Sequence, residues 1–302
     1  MKRVLVTGGR GFIGRHTLAP LIELGFEVHA TATDEGIPEF LKELPVTWHT
    51  CDLLATGAAP ELVGRIAPSH LLHTAWVTEH GDYWTSAENL SWVSATLDML
   101  GAFARAGGHR YVNAGSCAEY SWDQEVYAED SSPTVPATLY GRAKLAVAEL
   151  ALVASQELGL SVATGRIFFA YGPFENANRI IPYTCRQLLK NEQADFASGL
   201  LERDFLHVQD AASAFTALLD SDLEGPVNIA SGDAISLATV VKKLGRIAGV
   251  DALINLGARP DRPGDPPKLI ANIDRLRSIG WKQKISIESG LQDTFSWWKT
   301  FR

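Results

Sequence analysis

A strand that runs without a break into a cluster of glycines leaves a chain few folds to choose from. Here Lys2 to Thr7 is a short apolar strand, and Thr7-Gly8-Gly9-Arg10-Gly11-Phe12-Ile13-Gly14 follows directly. Phe12 to Leu24 then has helical spacing until Gly25 stops it, and Phe26 to Ala32 reads as a second strand. Gly8, Gly11 and Gly14 fall between strand and helix, the context in which such glycine spacing becomes informative. Glycine there lets the chain turn tightly, lets backbone approach a diphosphate and lets helix pack on strand. Amides at the helix N-terminus then face the anion. This βαβ opening begins a doubly wound parallel sheet.

The alternation continues. Val46 to His49 reads as a strand, Glu61 to Ile66 as a short helix and His70 to Ala75 as a buried strand. Glu88 to Ala106 is a long helix stopped by Gly107-Gly108, and Arg110 to Ala114 another strand. Tyr140 to Leu158 is a helix ended by Gly159, with the strand Ser161 to Phe168 after it. The pattern breaks after Tyr171-Gly172-Pro173. We expect an α/β chain: a Rossmann-type doubly wound parallel sheet over residues 1–168, to which 203–230 return. A smaller C-terminal substrate-binding lobe is expected from 169–202 and 231–302.

Composition narrows the function. A net charge of −8 speaks against non-specific nucleic-acid binding, which needs a basic face. No apolar run reaches the roughly 18 residues of a bilayer span, and glycines replace the apolar core of a targeting peptide. Cys51, Cys117 and Cys185 are far apart and not in metal-ligand spacing, which suits buried thiols in a reducing compartment. The expectation is a cytoplasmic enzyme with a small-molecule substrate and no metal, nucleic-acid or membrane partner.

The chemistry is read from Tyr140-Gly141-Arg142-Ala143-Lys144. Tyrosine and lysine four apart share a helix face. A free phenol, with a pKa of about 10, is a poor base at neutral pH, and an ammonium one turn away favours the phenolate. Lys144 can also hold ribose hydroxyls. Ser116, just beyond the Arg110 strand, reaches the carboxyl edge of the sheet, where its hydroxyl can orient a substrate oxygen. For the cofactor, the second strand ends Ala32-Thr33-Asp34, so an acid for the ribose diol comes late. Arg10 is placed to meet a 2′-phosphate, which favours NADP, with NAD as the alternative. Asp52-Leu53 suits an adenine contact.

With these motifs the chain resembles the extended short-chain dehydrogenase/reductases of the NAD-dependent epimerase/dehydratase family, which act mostly on nucleotide-sugars. The likeness rests on the glycine turn, Asp52-Leu53, His73-Thr74-Ala75, Ser116 four before Tyr120, Tyr140 with Lys144, and Tyr171-Gly172-Pro173. It continues through Arg203-Asp204-Phe205-Leu206-His207-Val208-Gln209-Asp210 and Arg262-Pro263-Gly264-Asp265. The resemblance implies catalytic roles for Ser116, Tyr140 and Lys144. It implies cofactor contacts at Gly8, Arg10, Gly11, Phe12, Ile13, Gly14, Asp52, Leu53, Ala75, Tyr140 and Lys144. Arg203 and Arg262 would grip a substrate diphosphate, and a homodimer is the family's habit.

Departures narrow the reaction. Dehydratases of the family carry an Asp-Glu pair where this chain has Cys117-Ala118, and strand alternation should turn Glu119 away. The Asn of the fourth helix is displaced, with Trp92 in its place and Asn89 one turn earlier. Phe168-Phe169 replaces a stretch where many relatives bind substrate through Asn. Trp76 is expected to line the pocket, and Trp84 and Trp92 to pack in the core. The reading placed first is reduction of a 4-keto-6-deoxy nucleotide-sugar with Tyr140 as proton donor. Alternatives are a 4-epimerase that retains NAD, a ketoreductase of an aromatic or polyketide substrate, and a non-catalytic NAD(P) sensor.

Overall fold

The computed structural model describes residues 2–77 and 81–301. β1 (Arg3–Thr7) is buried from Val4 onward, as a parallel strand covered on both faces requires. It leads through the glycine turn to α1 (Gly14–Glu23), β2 (Glu27–Ala32), α2 (Glu39–Lys42), β3 (Val46–Thr50) and α3 (Ala58–Ile66). Next come β4 (His70–His73), α4 (Glu88–Arg105), β5 (Arg110–Ser116), β6 (Val126–Tyr127), α5 (Leu139–Leu158), β7 (Ser161–Ile167) and β8 (Phe169–Tyr171). The remainder comprises α6 (Ile180–Leu189), β9 (Ala194–Asp195), β10 (Glu202–Arg203), β11 (Phe205–His207), α7 (Val208–Leu219), β12 (Gly225–Ile229) and β13 (Ile235–Ser236). It closes with α8 (Leu237–Ala248), β14 (Ile254–Asn255), β15 (Lys268–Ala271), α9 (Asp274–Ser278) and α10 (Ile287–Thr300).

Seven strands form one parallel sheet in the order β12-β7-β5-β4-β1-β2-β3. The chain winds outward in both directions from β1, so the crevice between β1 and β4 is the switch point where such sheets bind ligands. Register sets Thr7 opposite His73, and His73 opposite Asn113. The carboxyl ends of β1, β4 and β5 thereby stand side by side, bringing Gly8, Ala75 and Ser116 to one edge.

Several boundaries differ from the sequence reading. β4 stops at His73 because Thr74 turns its hydroxyl to the Thr7 carbonyl at 2.6 Å and its amide to the Thr7 hydroxyl at 3.2 Å, side-chain bonds that replace the ladder. β5 runs two residues further, to Ser116. Outside the main sheet the strands are short. They form a four-stranded set, β13-β10-β15-β6, and two pairs, β11-β8 and β14-β9. A second apolar core, with Tyr171, Ile181, Phe205, Val240, Leu244 and Leu291, joins α6, α8 and α10. Among the described residues no helix is long and apolar enough to cross a membrane.

Candidate active site

The glycine turn comes first. Gly8 has φ +69°, a left-handed conformation that glycine takes freely, and a Cβ there would lie 3.0 Å from the Ala75 backbone. The Gly11 amide donates to the Gly8 carbonyl at 2.8 Å. A side chain at Gly14 would strike that carbonyl and the Thr74 hydroxyl. α1 begins at Ile13 with no side-chain cap on its amides, and Phe12 and Ile13 are half-buried beside it. A turn that excludes side chains and ends at an uncapped helix start fits a dinucleotide diphosphate.

Arg10 does not stand open for a 2′-phosphate. Its guanidinium closes on Asp34 with two bonds of 2.6 and 2.7 Å and on the Gly36 carbonyl at 2.7 Å. The Arg10 hydrogen bonds, aided by the Gly36 amide, hold the Asp34 carboxyl below its usual range. The pair bears on the expected preference for NADP. The fork is already filled by a carboxylate, and that carboxylate stands just past β2, where an acid serves a ribose diol. Asp52 is exposed after β3 and accepts from the Leu54 amide at 3.0 Å. The Leu53 side chain is buried in the core of α3 and α4, so its backbone alone faces outward.

The three candidate catalytic residues converge. α5 is started by Thr138, whose hydroxyl accepts from the Gly141 amide at 3.1 Å. A Cβ at Gly141 would collide with the Ala118 carbonyl, so the first turn of α5 lies directly on the segment after β5. The Ser116 side chain acts on the Tyr140 phenol, and its hydroxyl accepts from the Ala118 amide at 3.2 Å. Lys144 is buried. Its Nζ donates to the Ala114 carbonyl at 2.9 Å, 3.7 Å from the centre of the Trp76 indole and 5.9 Å from that of the Tyr140 ring.

The electrostatics differ from the sequence expectation. Burial pushes the Tyr140 phenol well above its ordinary value, and the Ser116 side chain only partly opposes this. Burial also lowers Lys144 to about 7, against the pull of Glu119. Lys144 therefore does not acidify Tyr140 in the cofactor-free chain, because desolvation outweighs charge pairing. His73, bridged between the Thr7 and Thr96 hydroxyls at 2.7 and 3.0 Å, is lowered to about 3 by burial and then by Lys144. It stays neutral beneath the site.

Aromatic residues enclose the phenol. Tyr83 and Trp84 lie edge-on to Tyr140 at 4.9 and 5.6 Å, and the Tyr140 amide donates to the Trp84 carbonyl at 3.2 Å. Trp84 thus borders the site rather than packing only in the core. Trp92 stacks on Trp76 at 5.8 Å. Fully buried Asn89 organises this wall, accepting from the Trp76 indole at 2.9 Å and donating to the Tyr83 and Ser86 carbonyls. Sequence reading missed Tyr83, whose only signal was aromatic density near the displaced Asn.

The neighbours of Ser116 are structural. Glu119 sits on a one-turn helix, Cys117–Glu119, and not on a strand. Its carboxylate meets the buried Arg166 at 2.7 Å and the Ser116 amide at 2.8 Å. Burial pushes the Cys117 thiol up to about 12. Phe168 belongs to the main core, which leaves only the half-buried Phe169 toward the cleft side.

The candidate diphosphate arginines are placed differently. Buried Arg203 donates to the Glu202 and Pro266 carbonyls at 2.8 and 2.9 Å, stands over Phe169 at 5.6 Å and acts electrostatically on Cys117. Arg262 is exposed in the loop leading to Pro266, with no hydrogen-bond partner among the described residues. The two guanidiniums are connected through that loop and not brought into contact.

A switch-point crevice with a glycine turn on one side and a Ser116–Tyr140–Lys144 set on the other defines an extended short-chain dehydrogenase/reductase. The chain belongs to the NAD dependent epimerase/dehydratase family, whose model matches residues 4–230. It is similar to the UDP-glucose 4-epimerase of Azospirillum brasilense, at 29% identity over 98% of this chain and 91% of that protein. A structure of MoeE5 in complex with UDP-glucose and NAD superposes with a TM-score of 0.84 at 27% identity, covering 98% of both chains. The UDP-N-acetylglucosamine 4-epimerase of Methanobrevibacter ruminantium M1 shares the fold, with a TM-score of 0.88 at 22% identity over 100% of this chain and 99% of that one.

Proposed function

We propose that this protein is a nucleotide-sugar 4-epimerase that retains NAD and acts on a UDP-linked hexose. The observation that carries this reading is the convergence of Ser116 and Tyr140 beside Lys144, set at the strand edge next to the glycine turn. The UDP-sugar epimerase among its relatives favours epimerisation over the one-way 4-keto reduction that the sequence placed first. Asp34, locked by Arg10 and opposed to a 2′-phosphate, favours NAD.

NAD held at the glycine turn would supply reversible hydride transfer at the sugar carbon. Tyr140, as phenolate, would take the proton from the hydroxyl on that carbon and later give it back, so it ends each cycle as it began. Ser116 aligns the sugar oxygen. Lys144 would hold a ribose of the cofactor and help keep Tyr140 as phenolate. Gly8, Gly11 and Gly14, with the backbone of Phe12 and Ile13, cradle the diphosphate. Asp52 and the Leu53 backbone meet the adenine, and Ala75 stands against the turn. Arg203 and Arg262 serve the nucleotide diphosphate of the substrate, and Trp76 lines the pocket.

Retention of the cofactor tests this reading. Protein purified without added nucleotide and then denatured should release close to one NAD per chain. Release of none, together with net NADPH consumption on a 4-keto sugar, would restore the reductase.

A further inference from the structure

One cation at the reacting end of the cleft has no part in the scheme above. Arg179 is half-buried and caps the start of α6. Its Nη2 donates to the Tyr83 hydroxyl at 3.2 Å, and its guanidinium carbon stands 5.6 Å from that ring's centre. Tyr83 in turn lies edge-on to Tyr140 at 4.9 Å. A single aromatic side chain thus separates Arg179 from the reacting phenol.

Its surroundings do not account for it as a structural cation. A positive charge at a helix N-terminus faces the positive end of the helix dipole. α6 begins there without any side-chain cap on its amides. Guanidinium carries five donor hydrogens, and the Tyr83 hydroxyl is the one side-chain acceptor that Arg179 meets among the described residues. No carboxylate among those residues stands within ion-pair distance of it. Glu175, one turn earlier, holds Oε2 fully enclosed and without a partner. Burial pushes this carboxyl up to about 8, even with Arg179 nearby. At neutral pH it is mostly uncharged, and among the described residues no carboxylate forms an ion pair with the guanidinium.

We infer that Arg179 forms an anion subsite beside Tyr140 and that the preferred sugar is a hexuronic acid, its carboxylate held by the guanidinium fork. The two oxygens of a carboxylate match that fork. A neutral hexose would leave the remaining donors without an acceptor. The inference rests on the epimerase reading and adds the class of sugar.

Calorimetric titration of the NAD-loaded protein with UDP-glucuronate, UDP-glucose and UDP tests it. Wild type should bind UDP-glucuronate about tenfold or more tighter than UDP-glucose, the scale of one charge-assisted contact. Arg179→Gln should abolish that ratio, and Arg179→Lys should retain part of it. Equal binding of the two sugars by wild type overturns the inference and leaves the epimerase reading standing. Equal loss of UDP and UDP-glucuronate in Arg179→Gln also overturns it, because the arginine would then read diphosphate. If neither sugar nucleotide binds while NAD does, both readings fall.

Discussion

At the scale of single residues, the site combines a phenol that burial makes less acidic with an ammonium that burial makes less basic. Tyr140→Phe should keep cofactor binding and lose activity by two to four orders of magnitude, as expected when a positioned proton carrier is removed. Equal turnover in wild type and variant would remove Tyr140 from the chemistry. Lys144 gives a pH signature. Its value in the folded chain, about 7, lies below its ordinary 10.5. Between those pH values the unfolded chain binds more protons, so stability rises with pH there, and the cost of the buried charge is fully present below about 7. Lys144→Met should therefore raise the melting temperature of the cofactor-free protein at pH 6, with the gain shrinking toward pH 10. A gain that grows with pH would contradict this assignment. The candidate residues were legible in the sequence through their spacing and order. The direction of the Tyr140 shift was not, because it depends on Tyr83 and Trp84, which lie far away along the chain.

At the scale of elements, β1, α1 and β2 were readable from glycine spacing and apolar runs, and the strand order follows from winding rules. The short strands after β8 were not readable. Two-residue ladders such as β9 and β10 carry no periodicity and are held by partners up to 66 residues away, as Glu202 is by Lys268. The Arg10–Asp34 pair was not readable for a related reason: a loop arginine looks free until the fold brings Asp34 to it. Asp34→Asn should raise the affinity for NADP relative to NAD by about tenfold, since the carboxylate that repels a 2′-phosphate is removed and Arg10 is freed to pair with it. Unchanged discrimination in a titration of both cofactors would place the ribose acid elsewhere. Packing of α5 gives a further expectation. Gly141→Ala forces a methyl against the Ala118 carbonyl and Pro136, so it should displace Tyr140 and lower kcat by tenfold or more. Cofactor affinity should fall far less, and wild-type kcat in the variant would show that the close approach does not position the phenol.

At the scale of the whole molecule, α4 and α5 pack side by side and leave apolar residues uncovered. Leu90 is 61% exposed, Leu150 51% and Val153 75%, the last two sharing a face of α5. Pairing with the same helices of a second copy would bury them. Light scattering should give twice the chain mass, and Val153→Glu should give monomers. A wild-type monomer would leave this face without that role. The central claim is that the site inverts a sugar carbon with no net redox change. Nuclear magnetic resonance of UDP-glucose and UDP-glucuronate, each incubated with the enzyme and no added reductant, tests it most directly. The expected result is equilibration of at least one of them with its C4 epimer while bound NAD stays oxidised between turnovers. Failure of either sugar to epimerise, with stoichiometric reduction of a 4-keto sugar by added NADH or NADPH, would contradict it.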